Sequence, residues 1–489
     1  MTAGILQLVA QGNEDLYLTL NPQITFFKIV YKRHTNFSIE SIQQNFNSKP
    51  DFGKKITCTI GKNADLINKI YVVITLPKIN CINDDNMPNL NKCAWINNIG
   101  WHILKTVEIE IGGYVINKHY GDFLQIWSEL ILNSNNKKGL DKMIGNVPEL
   151  IDYTTVKDSY ILYVPLYFWF CRSLNNALPI TALEFSDIKI NIEFASINDL
   201  LKLSPTNYID IDNNIVHFKP GDILFQNNGN KINYIEYVDY ENRNDSIHRL
   251  YYNKISSDKI NNNNIKKLDD IYEVTITNGV ETLYINKQIN FAWVNNLSIV
   301  GAYLLVDYIY LDIEERIKFI KGEHEYIIDV LMYDNEKALS NNINKIKLGY
   351  SNPCKEIIFR AQMDYLNNIN IKDNYMLDYF KKVNIINNVQ IIMNGTPRLS
   401  MRSSDYFYLL QNYQNHSNEP YSGVFTYSFA LFPEDEQPSG TCNFSKIDDL
   451  QMLIQVNKEV NYLNPAKLRV YANCINILKI KNGYSEIIF

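Results

Sequence analysis

The chain has 489 residues, of which 46% are hydrophobic and 20% are charged, a composition typical of a globular protein with a large core. At roughly 150 residues per average domain, the length predicts about three such domains or two large β domains. The net charge of −6 excludes the basic footprint of a nucleic-acid-binding protein, and the 12% of aromatic residues excludes disorder throughout the chain.

The N-terminal sequence MTAGILQLVAQGNEDLYL has no basic residue before its short apolar stretch, so it is not typical of a secretion signal. No apolar run reaches the roughly 18 residues that a membrane-spanning helix needs. The seven cysteines lie at least twelve residues apart and form no CxxC pair. We therefore predict a mature protein with reduced thiols in a cytosolic setting.

Alternation of apolar and polar residues predicts β-strands along most of the chain. Residues 107–111 alternate and run into Gly112-Gly113, which indicates a two-residue hairpin turn. The same alternation recurs at 188–194, 425–431 and 450–456, and a further hairpin turn is predicted at Asn482-Gly483. Many short strands separated by turns favour sandwiches or barrels over βαβ units.

Few helices are predicted. Apolar residues of the segment 123–131, behind Gly121-Asp122, recur at helical spacing. A second helix is predicted from Glu323 to Leu331. A third begins at Ser403 or Ser404 and places Tyr406, Leu410 and Tyr413 on one face.

Two weak internal echoes predict two copies of a β-domain. Segments 107–131 and 307–331 both read as strand, turn and helix, and segment 183–194 resembles 442–456. Residues 201–290, which lie between the copies, are polar and rich in asparagine. They contain strand-like runs at 231–238 and 271–277, so we predict an elaborated linker or insertion with a small β subdomain.

No pattern of catalytic or metal-binding residues is present. The chain has none of the glycine-rich phosphate loops, nucleophile elbows or HExxH helices that carry common chemistries. Its seven histidines are dispersed, and Glu314 and Glu315 are adjacent residues predicted in a solvated turn. Lys32-Arg33-His34 could touch phosphate, but pairing with carboxylates within or between subunits is the preferred interpretation in an acidic chain. We predict no enzymatic activity, no cofactor and no direct contact with nucleic acid.

Several segments in fixed order resemble the major capsid proteins of nucleocytoplasmic large DNA viruses, in a style nearest to the mimivirus-like group. The first is LYLTLNPQITFFKIVYKRHTNF at 16–37, and a later one contains PSGTCNFS at 438–445. Matching stretches between them lie at 64–77, 107–130, 177–194, 304–319 and 405–437. The residues carrying the family motif are Asn21, Pro22, Gln23, Thr25, Phe26, Phe27, Lys28, Arg33, His34, Thr35 and Phe37, followed by Pro438, Ser439, Gly440, Thr441, Asn443 and Phe444. Leu20 departs from the glycine that the family often has there.

The resemblance implies an all-β double jelly roll, which is two eight-stranded antiparallel sandwiches side by side with a few short helices in loops. The predicted limits are an N-terminal arm at 1–23, a first jelly roll at 24–200, the asparagine-rich segment at 201–290 and a second jelly roll at 291–489. This architecture agrees with the repeat that was inferred from the residues alone.

The resemblance also implies a function. Family members form homotrimeric, pseudo-hexagonal capsomers that tile the icosahedral shell of the virion, which is made in the host cytoplasm. The implied partners are further copies of the chain, minor capsid and penton proteins, and an inner viral membrane nearby. Phe26, Phe27, Tyr31 and Phe37 would either anchor the arm to a neighbour or close the first barrel.

Two alternatives remain open. One is a double-jelly-roll scaffold or minor capsid paralogue. The other is a jelly-roll carbohydrate-binding protein or glycosidase, which would need an aromatic platform or a carboxylate pair across a cleft.

Overall fold

The computed structural model describes residues 2–488 outside a set of gaps. The gaps are 30, 82–91, 133, 204–206, 213–222, 227–230, 240–246, 253–263, 268–273, 281–293, 295, 365, 367–371, 373–374, 379–382, 421–422 and 463. Two short helices, α1 (Ala3–Val9) and α2 (Asn13–Thr19), precede the first strand.

Eight main strands build the first jelly roll. They are β1 (Phe37–Asn45), β2 (Lys55–Thr59), β3 (Leu66–Leu76), β4 (Leu104–Ile111), β5 (Tyr114–Tyr120), β6 (Tyr160–Pro165), β7 (Ile188–Phe194) and β8 (Gly301–Leu311). All pair antiparallel, in one sheet of order β1-β8-β3-β6 and a second of order β2-β7-β4-β5. Alternate side chains such as Val72, Ile109, Ile190 and Val306 fill the space between the sheets.

Eight further strands build the second jelly roll. They are β9 (His324–Tyr333), β10 (Ile343–Leu348), β11 (Pro353–Met363), β12 (Ile386–Met393), β13 (Thr396–Pro397), β14 (Val424–Ser428), β15 (Leu450–Val456) and β16 (Ala466–Lys481). Their sheet orders are β9-β16-β11-β14 and β10-β15-β12-β13. Each strand of the second roll occupies the same sheet position as the strand numbered eight lower in the first roll, so the two rolls share one topology.

Short elements decorate the rolls. The minor strands are Ile79–Asn80, Cys93–Trp95, Val156–Lys157, Leu178–Pro179, Leu201–Leu203, Lys337–Leu339, Met376–Asp378, Val383–Asn384, Arg402–Ser403, Cys442–Asn443 and Tyr484–Ile487. The principal helices are α3 (Gly121–Ile131), α4 (Ile313–Lys321) and α5, a π-helical turn Tyr406–Leu410 that continues as the α-helix Gln411–Asn415. Shorter helices and 3-10 turns are Ile99–His102, Ser134–Asn136, Lys137–Ile144, Pro148–Ile151, Trp169–Arg172, Leu174–Asn176, Ile197–Asp199 and Phe444–Lys446.

The predicted strands at 107–111, 188–194 and 450–456 are confirmed, and the strand predicted at 425–431 spans Val424–Ser428. Both hairpin turns are also present. Gly112 and Gly113 have φ of 60° and 91°, and Asn482 and Gly483 have φ of 51° and 83°. These left-handed backbones explain why glycine and asparagine stand there.

The helix predicted at 323–331 is wrong. Residues 324–333 form β9, because every one of them pairs with β16 in an antiparallel ladder and the segment is rich in residues that favour strands. The helix of this region is α4, which lies immediately upstream. Asp312 caps its N-terminus by accepting a hydrogen bond from the Ile313 amide at 2.8 Å. The predicted helices at 123–131 and after Ser404 are confirmed as α3 and α5.

The first predicted echo, between 107–131 and 307–331, is also wrong in its second half. Residues 307–311 end β8, which pairs with β1 and β3 of the first roll. The structural counterpart of β4, β5 and α3 is instead β12, β13 and α5. The second echo is confirmed, since β7 and β15 occupy the same position in their sheets.

The asparagine-rich segment lies between β7 and β8, and therefore interrupts the first roll. Its six strands close into a small barrel: Asn207–Asp212, Ile223–Gln226, Lys231–Asp239, Ile247–Tyr252, Asn264–Lys267 and Val274–Val280. The predicted strand at 231–238 is confirmed, and residues 271–273 of the other lie outside the described residues. The limit predicted at 291 assigns β8 to the second roll, but β8 completes the first because β1 and β3 hydrogen bond to its two edges. The chain crosses between the rolls at α4.

Candidate assembly surfaces

The described part of the chain offers no metal site, since no group of three or more His, Cys, Asp and Glu side chains within it could hold an ion. Among the described helices, none is long and apolar enough to cross a membrane. The family motif marks two candidate surfaces.

The first surface is the N-terminal arm, which extends beyond the predicted limit at 23, because the first roll begins with β1 at Phe37; its described residues are 2–29 and 31–36. Phe26 is 90% exposed, Phe27 is 98% exposed and Tyr31 is 86% exposed. Asn21 adopts a left-handed φ of 54°, and Thr25 Oγ1 accepts a hydrogen bond from the Phe27 amide at 3.3 Å. The aromatic rings of the arm do not close the first barrel in a single chain, because they lie in solvent.

The basic residues of the arm are equally open. Lys28 and Arg33 are exposed, and no described carboxylate lies within ion-pair distance of Lys28, Lys32 or Arg33. The ring of His34 lies 2.8 Å from the Thr35 carbonyl oxygen through Nδ1 and contacts Phe37, the first residue of β1, edge to face. The predicted pairing of Lys32-Arg33-His34 with carboxylates of the same chain is thus not seen among the described residues. Pairing with a neighbouring subunit stays a prediction.

The second motif segment, 438–444, contributes to the second roll itself. Ser439 Oγ accepts a hydrogen bond from the Phe432 amide at 2.8 Å. Gly440 has a φ of 126° and lies against the Phe429 carbonyl oxygen, so a side chain there would be strained. Asn443 pairs with Pro353 at the start of β11, and Phe444 is buried against Tyr350. Pro438 and Thr441 flank Ser439 and Gly440 in the chain.

A third surface, which the sequence did not reveal, joins the two rolls. Helix α3 of the first roll packs on the outer face of sheet β9-β16-β11-β14 of the second. The helix contributes Phe123, Ile126, Trp127 and Leu130, and the second roll contributes Leu331, Ile358, Tyr375, Val424 and Tyr471. Leu124 points the other way, into the core of the first roll. The Asn418 amide and side chain donate to the carbonyl oxygens of Leu130 and Glu129 at the end of α3.

An ion cluster lies at the start of α3. Asp122 Oδ1 is 2.8 Å from Arg360 Nη2 and Oδ2 is 2.7 Å from Arg469 Nη1, and both arginines belong to the second roll. Burial alone would raise the pKa of Asp122, but the two guanidinium groups outweigh it and hold that pKa well below its usual range. A second cluster joins Asp329 of β9 to Lys355 and to Arg172 of the first roll. Charge pairs thus lock the rolls in one orientation.

His416 lies between two carboxylates of the second roll. Its Nε2 is 3.1 Å from Glu356 Oε2 and its Nδ1 is 3.0 Å from Glu434 Oε1, with the ring fully buried. Burial disfavours the charged imidazolium, but the two carboxylates outweigh it and raise the pKa of His416 to about 9. The side chain is therefore a cation at neutral pH.

We expect the second roll to lose stability at alkaline pH, because His416 loses its charge there. Because the folded pKa of about 9 exceeds the value of 6.5 for an unperturbed histidine, the stabilisation is complete below pH 6.5 and disappears as the pH rises through 9. A shift of this size corresponds to about 3 kcal/mol. Urea unfolding at pH 6, 7.5 and 9.5 should show a falling midpoint, and the variant His416→Gln should lack this decrease. Equal pH slopes in the two proteins would contradict the assignment.

Sequence reasoning missed Asp122, Arg360 and Arg469. The sequence indicates Asp122 only as a residue at the start of a helix, and its partners lie more than two hundred residues away in the chain. The available signal was the constant spacing that aligns Asp122, Leu124 and Trp127 with Asp405, Phe407 and Leu410.

Two family models match this chain. The one described as "Major capsid protein N-terminus" matches residues 25–241, and "Large eukaryotic DNA virus major capsid protein" matches residues 315–485. The second match begins within α4, where the structure crosses from one roll to the other.

Relatives and a solved structure agree with the family models. Probable capsid protein 4 of Acanthamoeba polyphaga mimivirus is 40% identical over 98% of each chain, and the major capsid protein of Phaeocystis pouchetii virus is 30% identical over 99% of this chain and 98% of its own. The quasi-atomic model of the PBCV-1 virus capsid is 23% identical, has a TM-score of 0.64 and covers 95% of this chain and 100% of the other. It shares the double jelly roll predicted from sequence. The chain therefore belongs to the major capsid protein family of large eukaryotic DNA viruses, and its role is a structural one in the virion shell.

Proposed function

We propose that three copies of this chain form a homotrimeric, pseudo-hexagonal capsomer that tiles an icosahedral shell. The observation that carries the proposal is the identical strand order of the two rolls. Three chains with two similar rolls each give six similar wedges, so a threefold object can meet six neighbours in a lattice. Self-association in a capsid is the coarser part of this function and follows from membership of the family.

The N-terminal arm is the proposed contact with partners outside the trimer. Its exposed Phe26, Phe27 and Tyr31 form an apolar surface of the kind that marks interaction sites. We assign this surface to neighbouring capsomers and to minor capsid or penton proteins, close to an inner viral membrane. All seven cysteines are free, which suits synthesis in the reducing host cytoplasm.

Mass measurement and electron microscopy of the purified full chain test the trimer. We expect a species of three times the 57.0 kDa chain mass whose projections show a pseudo-hexagonal outline. A chain that stays monomeric over the micromolar range, without such particles, would contradict the proposal.

The arm gives a separate prediction. The double variant Phe26→Ser/Phe27→Ser should leave the melting temperature of the chain unchanged within about 1 °C, because both rings are already in solvent. The same variant should lose incorporation into shells when it is expressed with the other virion proteins. Incorporation at the wild-type level would contradict the partner-binding role, and a matched variant of an exposed residue outside the arm, Tyr114→Ser, is the control.

One observation favours the paralogue alternative: the relative at 40% identity is named as a numbered probable capsid protein and not as the major one. Copy number in purified virions distinguishes the two roles. Quantitative mass spectrometry should find this chain among the most abundant virion proteins if it is the bulk shell component. A trace amount would assign it to a scaffold or minor capsid position.

A further inference from the structure

Among the described residues, helix α5 of the second roll makes no contact with the first roll like the one that α3 makes with the second. The two helices align at a constant spacing, with Leu124, Trp127 and Leu130 of α3 matching Phe407, Leu410 and Tyr413 of α5. Like Leu124, Phe407 is buried in the core of its own roll. Trp127 and Leu130 are buried against the other roll, whereas Leu410 is 45% exposed and Tyr413 is 90% exposed.

The sheet that would receive α5 exists on the first roll. In the second roll, the row of paired residues beneath α3 runs across four strands through Tyr333, Tyr471, Ile358 and Thr426. The row at the same end of the first roll runs through Asn45, Tyr303, Val73 and Tyr163. Tyr303 thus occupies the position of Tyr471.

On strands β8, β3 and β6 this face carries apolar side chains of which several are only partly covered, although Val73 at its centre is 1% exposed and Asn45 on β1 is polar. Tyr163 is 39% exposed and Ile161 on the same strand is 48% exposed, while their counterparts at the covered site, Thr426 and Val424, are fully buried. Tyr71, Tyr303 and Leu305 are partly exposed on the same face. Both halves of a helix-on-sheet contact are therefore present in one chain without being joined to each other.

We propose that α5 of one chain docks through Leu409, Leu410 and Tyr413 on the outer face of sheet β1-β8-β3-β6 in a second copy of the chain. This inference rests on the proposed trimer, and names its interface. The contact within the chain, between α3 and the second roll, supplies the pattern that the contact between chains repeats. Such a head-to-tail contact closes into a ring when three copies complete the rotation.

The contact between chains differs from the internal one in charge. Asp405 matches Asp122, but the positions of Arg360 and Arg469 are taken in the first roll by Thr75 and Gly301, two residues beyond Val73 and Tyr303 along their strands. The ion cluster that locks the rolls of one chain is thus not reproduced. The interface between chains rests on apolar contact, which allows a trimer to dissociate without unfolding its chains.

The variant Leu410→Asp tests the proposal in the full chain. It should raise the trimer dissociation constant by more than roughly tenfold in sedimentation or mass photometry, with the circular dichroism spectrum unchanged because the residue is exposed in a single chain. The control is Ile320→Asp, at an apolar position of α4 that is 51% exposed and outside the proposed interface. It should leave the trimer intact.

A cross-linking measurement keeps the test independent of mutant stability. Chains carrying Tyr303→Cys are mixed with chains carrying Leu410→Cys and treated with a short bis-maleimide, and we expect covalent dimers that neither variant gives alone. Three results together would show that this surface is wrong while the proposed function stands: a trimeric wild type, an unchanged trimer dissociation constant for Leu410→Asp, and no cross-link between the two cysteine variants. A wild-type chain that remains monomeric would overturn the proposed function and this inference with it.

Discussion

Replacement of Asp122 by alanine is expected to lower the free energy of unfolding by about 3–5 kcal/mol, because it leaves two guanidinium groups near each other without their shared carboxylate. Arg360 is 1% exposed in the structure and cannot regain full hydration while the rolls stay together. Its guanidinium also lies over the ring of Tyr375 at 3.9 Å, which fixes it in place. Urea unfolding monitored by fluorescence measures the change.

The matched control for Asp122→Ala is Asp405→Ala, since Asp405 holds the same position on α5 and is exposed. Its effect should stay within about 0.5 kcal/mol. In the wild type, the contribution of Asp122 to the free energy of unfolding should persist at mildly acidic pH. It should be lost only as the pH falls through the depressed pKa of Asp122, below the ordinary value of 3.8. A loss under 1 kcal/mol for Asp122→Ala would show that the cluster does not hold the rolls together.

Replacement of Trp127 by alanine is expected to cost about 3–5 kcal/mol and to uncouple the rolls. The indole is 1% exposed, stacks on Phe123 at 5.9 Å and lies under the guanidinium of Arg172 at 4.6 Å. It is a large apolar group of the contact between the rolls, so its removal leaves a cavity there and not within either sandwich.

Calorimetry and hydrogen exchange measure the uncoupling. Wild type should unfold in a transition shared by both rolls, and Trp127→Ala should separate it into two, with faster exchange on β11 and β16. The variant Trp127→Phe keeps most of the buried area and should retain one transition, and Ile320→Ala reports the effect of truncating an exposed helical residue. A single transition at the wild-type temperature in Trp127→Ala would contradict the role of this contact.

Local pattern was sufficient where one face of a strand packs into the core of its own roll. Strands β4, β7 and β15 alternate cleanly, and the turns at Gly112-Gly113 and Asn482-Gly483 need left-handed backbones that few residues adopt. Pattern failed at 323–331, where the apolar residues at 327, 328, 330 and 331 fit the spacing of a helix as well as a strand. The pairing of β9 with β16 decides between them, and that pairing joins residues more than a hundred positions apart.

The repeat shows the same limit at the level of domains. Sequence alone indicated two copies of a β-domain, because each copy must bury its own apolar faces. It placed the asparagine-rich segment between the copies, whereas β8 returns to the first roll after that segment. An insertion between two consecutive strands of a roll costs little when it closes into a barrel of its own. Composition therefore marks the segment itself, but not whether it lies between the rolls or within one of them.

Residue patterns alone establish that this chain is an all-β protein of two similar units with the motifs of a viral capsid family. Alternation, turn residues and motif strings are local, and local preferences act before the chain has folded. The folded chain shows in addition which strands complete each roll, which charges lock the rolls together and which apolar faces remain open. Those features depend on side chains that meet across hundreds of residues, where burial and pairing set the free energy and no short pattern records them.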